Sequence, residues 1–215
     1  MIKINKSPEP NILTVNKVTW STELLGYISR NETVPSNVSN RYNHNDVKDE
    51  LRNECSNKCM YCESPVAHVS YEHIEHIKPK AKTKYPQLTF EWTNLGLACP
   101  VCNMNKGDEY DNNLPIINPY TENPSDFIFA LGHFLYHRPA NAKGELTKRQ
   151  LKLNRPELLE RRQERLESIS RLIDKFHSET NATLKQAIRV EIEIEIEEDK
   201  PYSLCAKSIF DAMMN

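Results

Sequence analysis

Two short runs, Cys59-Met60-Tyr61-Cys62 and Cys99-Pro100-Val101-Cys102, and the 36 residues between them decide how this chain folds. Two residues between cysteines let both sulfurs face one ion at about 2.3 Å, and two such turns complete a tetrahedral Zn²⁺ site. A lone C-x-x-C is also compatible with a redox dithiol, but a pair of them favours structural zinc held by Cys59, Cys62, Cys99 and Cys102. The two other cysteines, Cys55 and Cys205, lie outside the pattern and read as small apolar packing residues. The separation exceeds the ~15–20 residues of a simple zinc ribbon, so a functional segment is inserted between the pairs.

That segment carries His73-Ile74-Glu75-His76-Ile77-Lys78-Pro79-Lys80 and then Trp92-Thr93-Asn94-Leu95. Directly after the second pair comes Asn103-Met104-Asn105-Lys106. The order C-x-x-C, acid-His followed by proline, aromatic-x-Asn-Leu, C-x-x-C-N-x-x-K resembles the HNH endonucleases with their ββα-metal fold, over residues 55 to 110. The resemblance implies an α+β core in which a β-hairpin and one helix cradle a divalent cation, Mg²⁺ or Mn²⁺, while zinc braces the base.

It further implies His76 as general base, with Asn103 and Glu75 as oxygen ligands of the catalytic cation. Asn94 would hold the loop carrying His76, and Lys78, Lys80 and Lys106 would meet substrate phosphates. The chemistry suits such a site. A phosphodiester repels hydroxide, so cleavage needs a base near phosphorus and positive charge over the developing oxyanion. An imidazole with an ordinary pKa near 6.5 is largely neutral at cellular pH, and carboxylate and amide oxygens are the hard donors that Mg²⁺ takes. Two positions depart from the commoner pattern: Asn103 stands where the family's third letter is often histidine, and Glu75 replaces aspartate. His73 shares a strand face with Glu75 and reads as a hydrogen-bonded structural residue. Trp92 reads as core. His44, His68, His133, His137 and His177 fall outside the motif and read as ordinary polar residues.

Composition sets the frame. The 215 residues are 38% hydrophobic and 27% charged, which fits one domain with a core, or one with an appendage, and argues against wholesale disorder. No run approaches the ~18 apolar residues of a spanning helix, and the opening residues lack the apolar core of a signal peptide, so a cytoplasmic protein without membrane contact is expected. Neither a phosphate-cradling P-loop nor a dinucleotide fingerprint is present. The net charge of -2 gives no global surplus for gripping nucleic acid. It conceals a basic middle (Lys78, Lys80, Lys82, Lys84) and an acidic late segment (Glu191 to Asp199).

Three stretches are expected: 1–50 as an N-terminal extension of polar loop and apolar fragments, 51–115 as the zinc-stapled HNH core, and 116–215 as a mostly helical region. A short helix should start at an Asn45 N-cap. A hairpin should turn near Gly132 and a short helix run over 147–154. A long helix should open at Pro156, with a last one after Pro201. Val190-Glu-Ile-Glu-Ile-Glu-Ile-Glu alternates with period two, the strand signature, yet its helical surroundings favour helix.

Beyond the core, Met1-Ile-Lys-Ile-Asn-Lys-Ser-Pro, Ile74 to Lys80 and Leu151-Lys-Leu-Asn-Arg-Pro-Glu-Leu-Leu resemble the PtuB subfamily, the HNH nucleases of Septu-type and retron-associated antiphage systems. This implies an ABC/SMC-like ATPase partner (PtuA-like), docking on the helical region. Removing the chain from Pro156 onward should abolish that association and leave zinc bound. Two alternatives stay open: an RNA (tRNA) target rather than DNA, since a phosphodiester cradle does not read the sugar, or a non-catalytic zinc-stapled nucleic-acid-binding module.

Overall fold

The computed structural model describes residues 1–66 and 72–214; His68 lies outside the described residues. Eight helices and two separate two-stranded antiparallel sheets make up the described chain. The segment between and after the cysteine pairs forms a ββα unit. Strand β1 (His73–His76) pairs with β2 (Leu95–Ala98) in the register His73↔Ala98 to His76↔Leu95, and helix α4 (Pro100–Lys106) follows at once. Helix α4 starts where it does because Cys99 caps it, its Sγ accepting from the Cys102 amide at 3.4 Å, and Pro100 follows at the first helical position. Gly107, at φ 55°, ends it. Gly96 stands opposite Glu75, where a Cβ would meet Met60 Sδ and displace the end of that buried side chain.

The N-terminal stretch differs from its expected loop character. Helix α1 spans Asn11–Ser29, yet only Leu13 and Leu24 are buried, while Val15 and Val18 face solvent. Apolar residues scattered round the cylinder leave no period to detect. A short α2 (Ser36–Ser39) leads to α3 (Asn45–Glu54), whose N-cap is His44 rather than Asn45: His44 Nδ1 accepts from the Asp46 amide at 3.2 Å.

In the C-terminal half, β3 (Ile128–Leu131) and β4 (Phe134–His137) form the expected hairpin, with Gly132 in its turn at φ 57°. Helix α5 (Ala142–Gln150) begins earlier than expected, because Asn141 Oδ1 caps the Gly144 amide at 2.8 Å. Residues 151–154 are turn. Helix α6 runs Pro156–Ser178, α7 Ala182–Glu195 and α8 Ser203–Met214. The alternating segment is helical: Ile188 and Ile192, four apart, face inward, while Val190 and Ile194 face solvent.

One buried cluster draws on all three stretches, from Leu13 and Val47 through Leu95 and Leu97 to Leu153, Leu158, Leu166, Tyr202 and Cys205. A second, smaller cluster joins α6, α7 and α8 through Ile169, Ile173, Ile188, Ile192 and Ala206. Cutting before Pro156 would therefore strip Leu158, Leu166 and Tyr202 from the main core, so truncation cannot separate docking from folding as the sequence led us to expect.

Candidate nuclease centre and its zinc brace

The four paired cysteines are buried, and their sulfurs lie within 4.8 Å of one another. Sulfurs at the corners of a tetrahedron with arms of 2.3 Å stand about 3.8 Å apart, and Cys62 and Cys99 Sγ are separated by 3.8 Å. The donor set and its spacing fit Zn²⁺. The first pair is tied to the sheet by the Met60 amide, which donates to the Leu97 carbonyl at 2.8 Å, and the second pair opens α4. A metal there would fix β2 and α4 together. Cys55 and Cys205 are buried away from the cluster, as packing residues would be.

Above this base lies a cleft of about 200 Å³ lined by Tyr42, Glu75, His76, Lys80, Asn103 and Asp108, among others. His76 Nε2 sits 3.0 Å from the Thr89 carbonyl oxygen. A carbonyl only accepts, so Nε2 carries the proton and Nδ1 keeps its lone pair. Tyr42 packs edge-on against the ring at 4.6 Å. Burial drives the His76 pKa down to about 3, Lys80 and Lys106 push the same way, and the Thr89 contact opposes them. The imidazole is neutral at cellular pH.

Asn94, 5% exposed, spends its whole amide on the segment after His76. Its Oδ1 accepts from the Lys78 amide at 2.8 Å, and Nδ2 donates to the carbonyls of Lys78 and Leu88, both at 3.0 Å. Asn103 Nδ2 donates to His73 Nδ1 at 3.0 Å, which leaves Oδ1 as the free end of that side chain. Trp92 is core, its indole donating to the Ser7 carbonyl at 2.8 Å.

Two side chains stand differently from expectation. Lys106 borders the cleft but is 2% exposed, donates to the His76 carbonyl at 2.7 Å and pairs with Glu75 Oε1 at 2.6 Å. A buried ammonium with its donors so engaged is a strut between α4 and β1. Glu75 sits beside His76, but one carboxylate oxygen is already held by Lys106, with the Tyr61 hydroxyl donating to it at 3.4 Å. Burial pushes the Glu75 pKa up to about 7 despite Lys106. Lys80 lines the cleft, its ammonium 4.9 Å from the Tyr42 ring. Lys78 lies over Tyr85 and Tyr110 at 5.3 and 5.6 Å. Thr89 and Tyr42 were invisible to motif reading, the first because only its backbone acts and the second because it comes from outside the cysteine block.

A ββα cradle on a four-cysteine brace, with a neutral histidine oriented by a backbone carbonyl, defines a nuclease of the HNH class. The sequence profile described as HNH endonuclease matches residues 59–109. Septu protein PtuB of Bacillus thuringiensis is 30% identical over 177 residues, covering 76% of this chain and 67% of that protein. Septu protein PtuB of Bacillus mycoides (strain KBAB4) is 25% identical over 198 residues, covering 75% and 66%. The chain thus spans about two thirds of the length of these curated relatives. It belongs to the Septu PtuB family of HNH endonucleases. Among the described residues, no helix is long and apolar enough to cross a membrane.

Proposed function

We propose that this chain is the metal-dependent nuclease effector of a Septu-type antiphage system, hydrolysing nucleic-acid phosphodiesters under the control of an ATPase partner. The observation that carries the chemistry is the His76–Thr89 hydrogen bond, which leaves Nδ1 as the proton acceptor of a neutral imidazole in the cleft. Nδ1 takes the proton of the attacking water. Asn94 holds the backbone at Lys78, and Lys106 ties the His76 carbonyl to α4, so the backbone that carries the ring is held at two points. Lys80 gives the cleft a cation for the substrate phosphate. Asn103 Oδ1 and a Glu75 oxygen are hard donors suited to Mg²⁺ or Mn²⁺, which would stabilise the charge developing on the phosphate.

Partner docking falls, in this reading, on the helical region. Val190 and Ile194 of α7, four apart, are exposed at 45% and 44%, an apolar pair opposite the buried Ile188 and Ile192. Its support is that exposed apolar residues gathered on one helix face mark interaction surfaces more often than scattered ones do.

The decisive assay incubates the protein, alone and with the neighbouring ATPase, with plasmid and total tRNA in Mg²⁺ or Mn²⁺. Shortened plasmid identifies a DNA nuclease and shortened tRNA an RNA nuclease. Binding without cleavage in either metal, with and without ATPase, would sink the enzyme reading. Ile194→Glu should weaken co-purification with the ATPase at unchanged zinc content; undiminished co-purification would move the interface elsewhere.

A further inference from the structure

Arg155 is the residue preceding Pro156, at the N-cap of the 23-residue helix α6. Its guanidinium does not point into solvent or toward an acid. Nη1 lies 3.7 Å from Cys102 Sγ, while Nη2 lies 3.8 Å from Cys99 Sγ and 3.9 Å from Cys62 Sγ. Each is within the reach of an N–H···S hydrogen bond. Nη1 also donates to the Leu151 carbonyl at 3.4 Å and the Lys152 carbonyl at 3.5 Å, which fixes the plane of the fork. Three of the four clustered sulfurs thus share one cation, which comes from the chain more than 50 residues beyond the second cysteine pair.

The chemistry of a four-thiolate zinc centre explains why a guanidinium would sit there. Four thiolates around one dication carry a net charge of about -2, and burying that charge without compensation is costly. The nearest basic residue in sequence does not supply the compensation: Lys58, adjacent to Cys59, directs its ammonium to the carbonyls of Glu198 and Lys200. Among the described residues no other lysine or arginine hydrogen-bonds these sulfurs. Arginine is also the side chain whose planar, permanently charged fork can meet several acceptors at once; lysine offers a single point charge.

We propose that Arg155 is the charge-compensating clamp of the zinc centre: its fork bonds Cys62, Cys99 and Cys102, retains the metal, and latches the start of α6 onto the loaded thiolates. Donation to a thiolate stabilises the deprotonated form, so protons compete less well with zinc for the sulfur. When zinc leaves, the thiolates take up protons and lose the charge that holds Arg155, and the latch on α6 goes with it. The zinc brace and the helical arm are one linked unit. This inference rests on the reading of the four cysteines as a zinc site.

The test uses the full-length zinc-loaded protein and the variants Arg155→Met, Arg155→Lys and Leu158→Ala, the last loosening α6 without touching sulfur. Zinc release into excess EDTA is followed with a chromogenic chelator, and N-ethylmaleimide labelling of each cysteine is mapped by mass spectrometry. Outer-shell partners of metal ligands are typically worth ~10–100-fold in metal affinity. Arg155→Met should therefore release zinc ~10–100-fold faster, with Arg155→Lys between it and the parent. Labelling should rise at Cys62, Cys99 and Cys102 before Cys59, the sulfur Arg155 does not touch. Leu158→Ala should accelerate zinc release far less than Arg155→Met, since it acts on the sulfurs only through α6. Equal release from parent and both Arg155 variants, or equal acceleration by Leu158→Ala, would overturn the clamp. Should either Arg155 variant fail to fold with zinc present, the other still decides between charge and fork. A parent protein that holds no zinc would instead bring down the zinc reading itself.

Discussion

The cradle between the cysteine pairs and the helical cluster of α6, α7 and α8 are built on different principles. In the cradle, charged and polar side chains are buried and each has a named partner: Glu75 with Lys106, His76 with Thr89, Asn94 with Lys78 and Leu88. In the helical cluster, five apolar residues, Ile169, Ile173, Ile188, Ile192 and Ala206, meet at helical spacing without a buried polar bond between them. Buried polar partners specify one geometry and fail steeply when one is lost. Apolar contacts are roughly exchangeable and fail in proportion to volume. A catalytic site needs the first kind of construction, and a scaffold arm tolerates the second.

The largest effect should come from the cradle's base. Cys99→Ser removes one of the four clustered sulfurs that would hold zinc, and structural zinc in small domains contributes on the order of 10 kcal/mol of folding free energy. Zinc content should fall to near zero and the cooperative unfolding transition should be lost, as read by metal analysis and calorimetry. A variant that retains one zinc and the parent Tm would show the cradle to be less brittle than the contrast requires.

Asn94→Ala comes next. It leaves the Lys78 amide and the carbonyls of Lys78 and Leu88 without their partner, at a cost of about 3 kcal/mol. Cleavage should fall further than the loss of folded protein accounts for, because the segment after His76 is no longer held. Denaturant titration and initial rates on the same samples check both halves.

Ile192→Ala in the other region should cost about 2–3 kcal/mol through the cavity it leaves, with the cleavage rate per folded molecule unchanged. A loss of activity beyond the unfolded fraction would erase the distinction between the two regions.

The smallest signal is a pH profile. Burial pushes the thiols of Cys55 and Cys205 up to about 11, so at neutral pH almost none of either is thiolate, the reactive form. Their labelling in the folded protein should rise about tenfold per pH unit as pH climbs toward that value. Fast labelling at neutral pH would mean they are not packed as described.

The same contrast governs what could be read in advance. The cradle was legible because its chemistry demands particular residue types in order, so Cys59, Cys62, Glu75-His76, Asn94 and Cys99 to Asn103 could be placed without any periodicity. The contact that orients His76 was not, since a backbone carbonyl at Thr89 leaves no mark on side-chain identity. Nor was the inward turn of Lys106, because burial of a lysine is decided by a carboxylate 31 positions away. In the arm, α6 was legible from its stripe of leucines and isoleucines behind Pro156. Residues 188–195, when coiled, carry apolar pairs on two faces, Ile188 and Ile192 inward and Val190 and Ile194 outward, which is why the local pattern imitates a strand. Helix α1 escaped because only Leu13 and Leu24 are buried, and its other core contacts, from Ile12 and Trp20 to Ile28, fall at no regular spacing.

The proton transfer we propose runs from the attacking water to a neutral imidazole, aimed by Thr89 and braced through the four-cysteine base. It is tested most directly by comparing initial cleavage rates of the parent and His76→Ala at matched zinc content and matched Tm, in Mg²⁺ and Mn²⁺, with the ATPase present. A general base is worth ~10²–10⁴-fold, so the variant should lose that much while remaining folded and zinc-loaded. Cleavage at the parent rate by a folded His76→Ala protein would contradict the account.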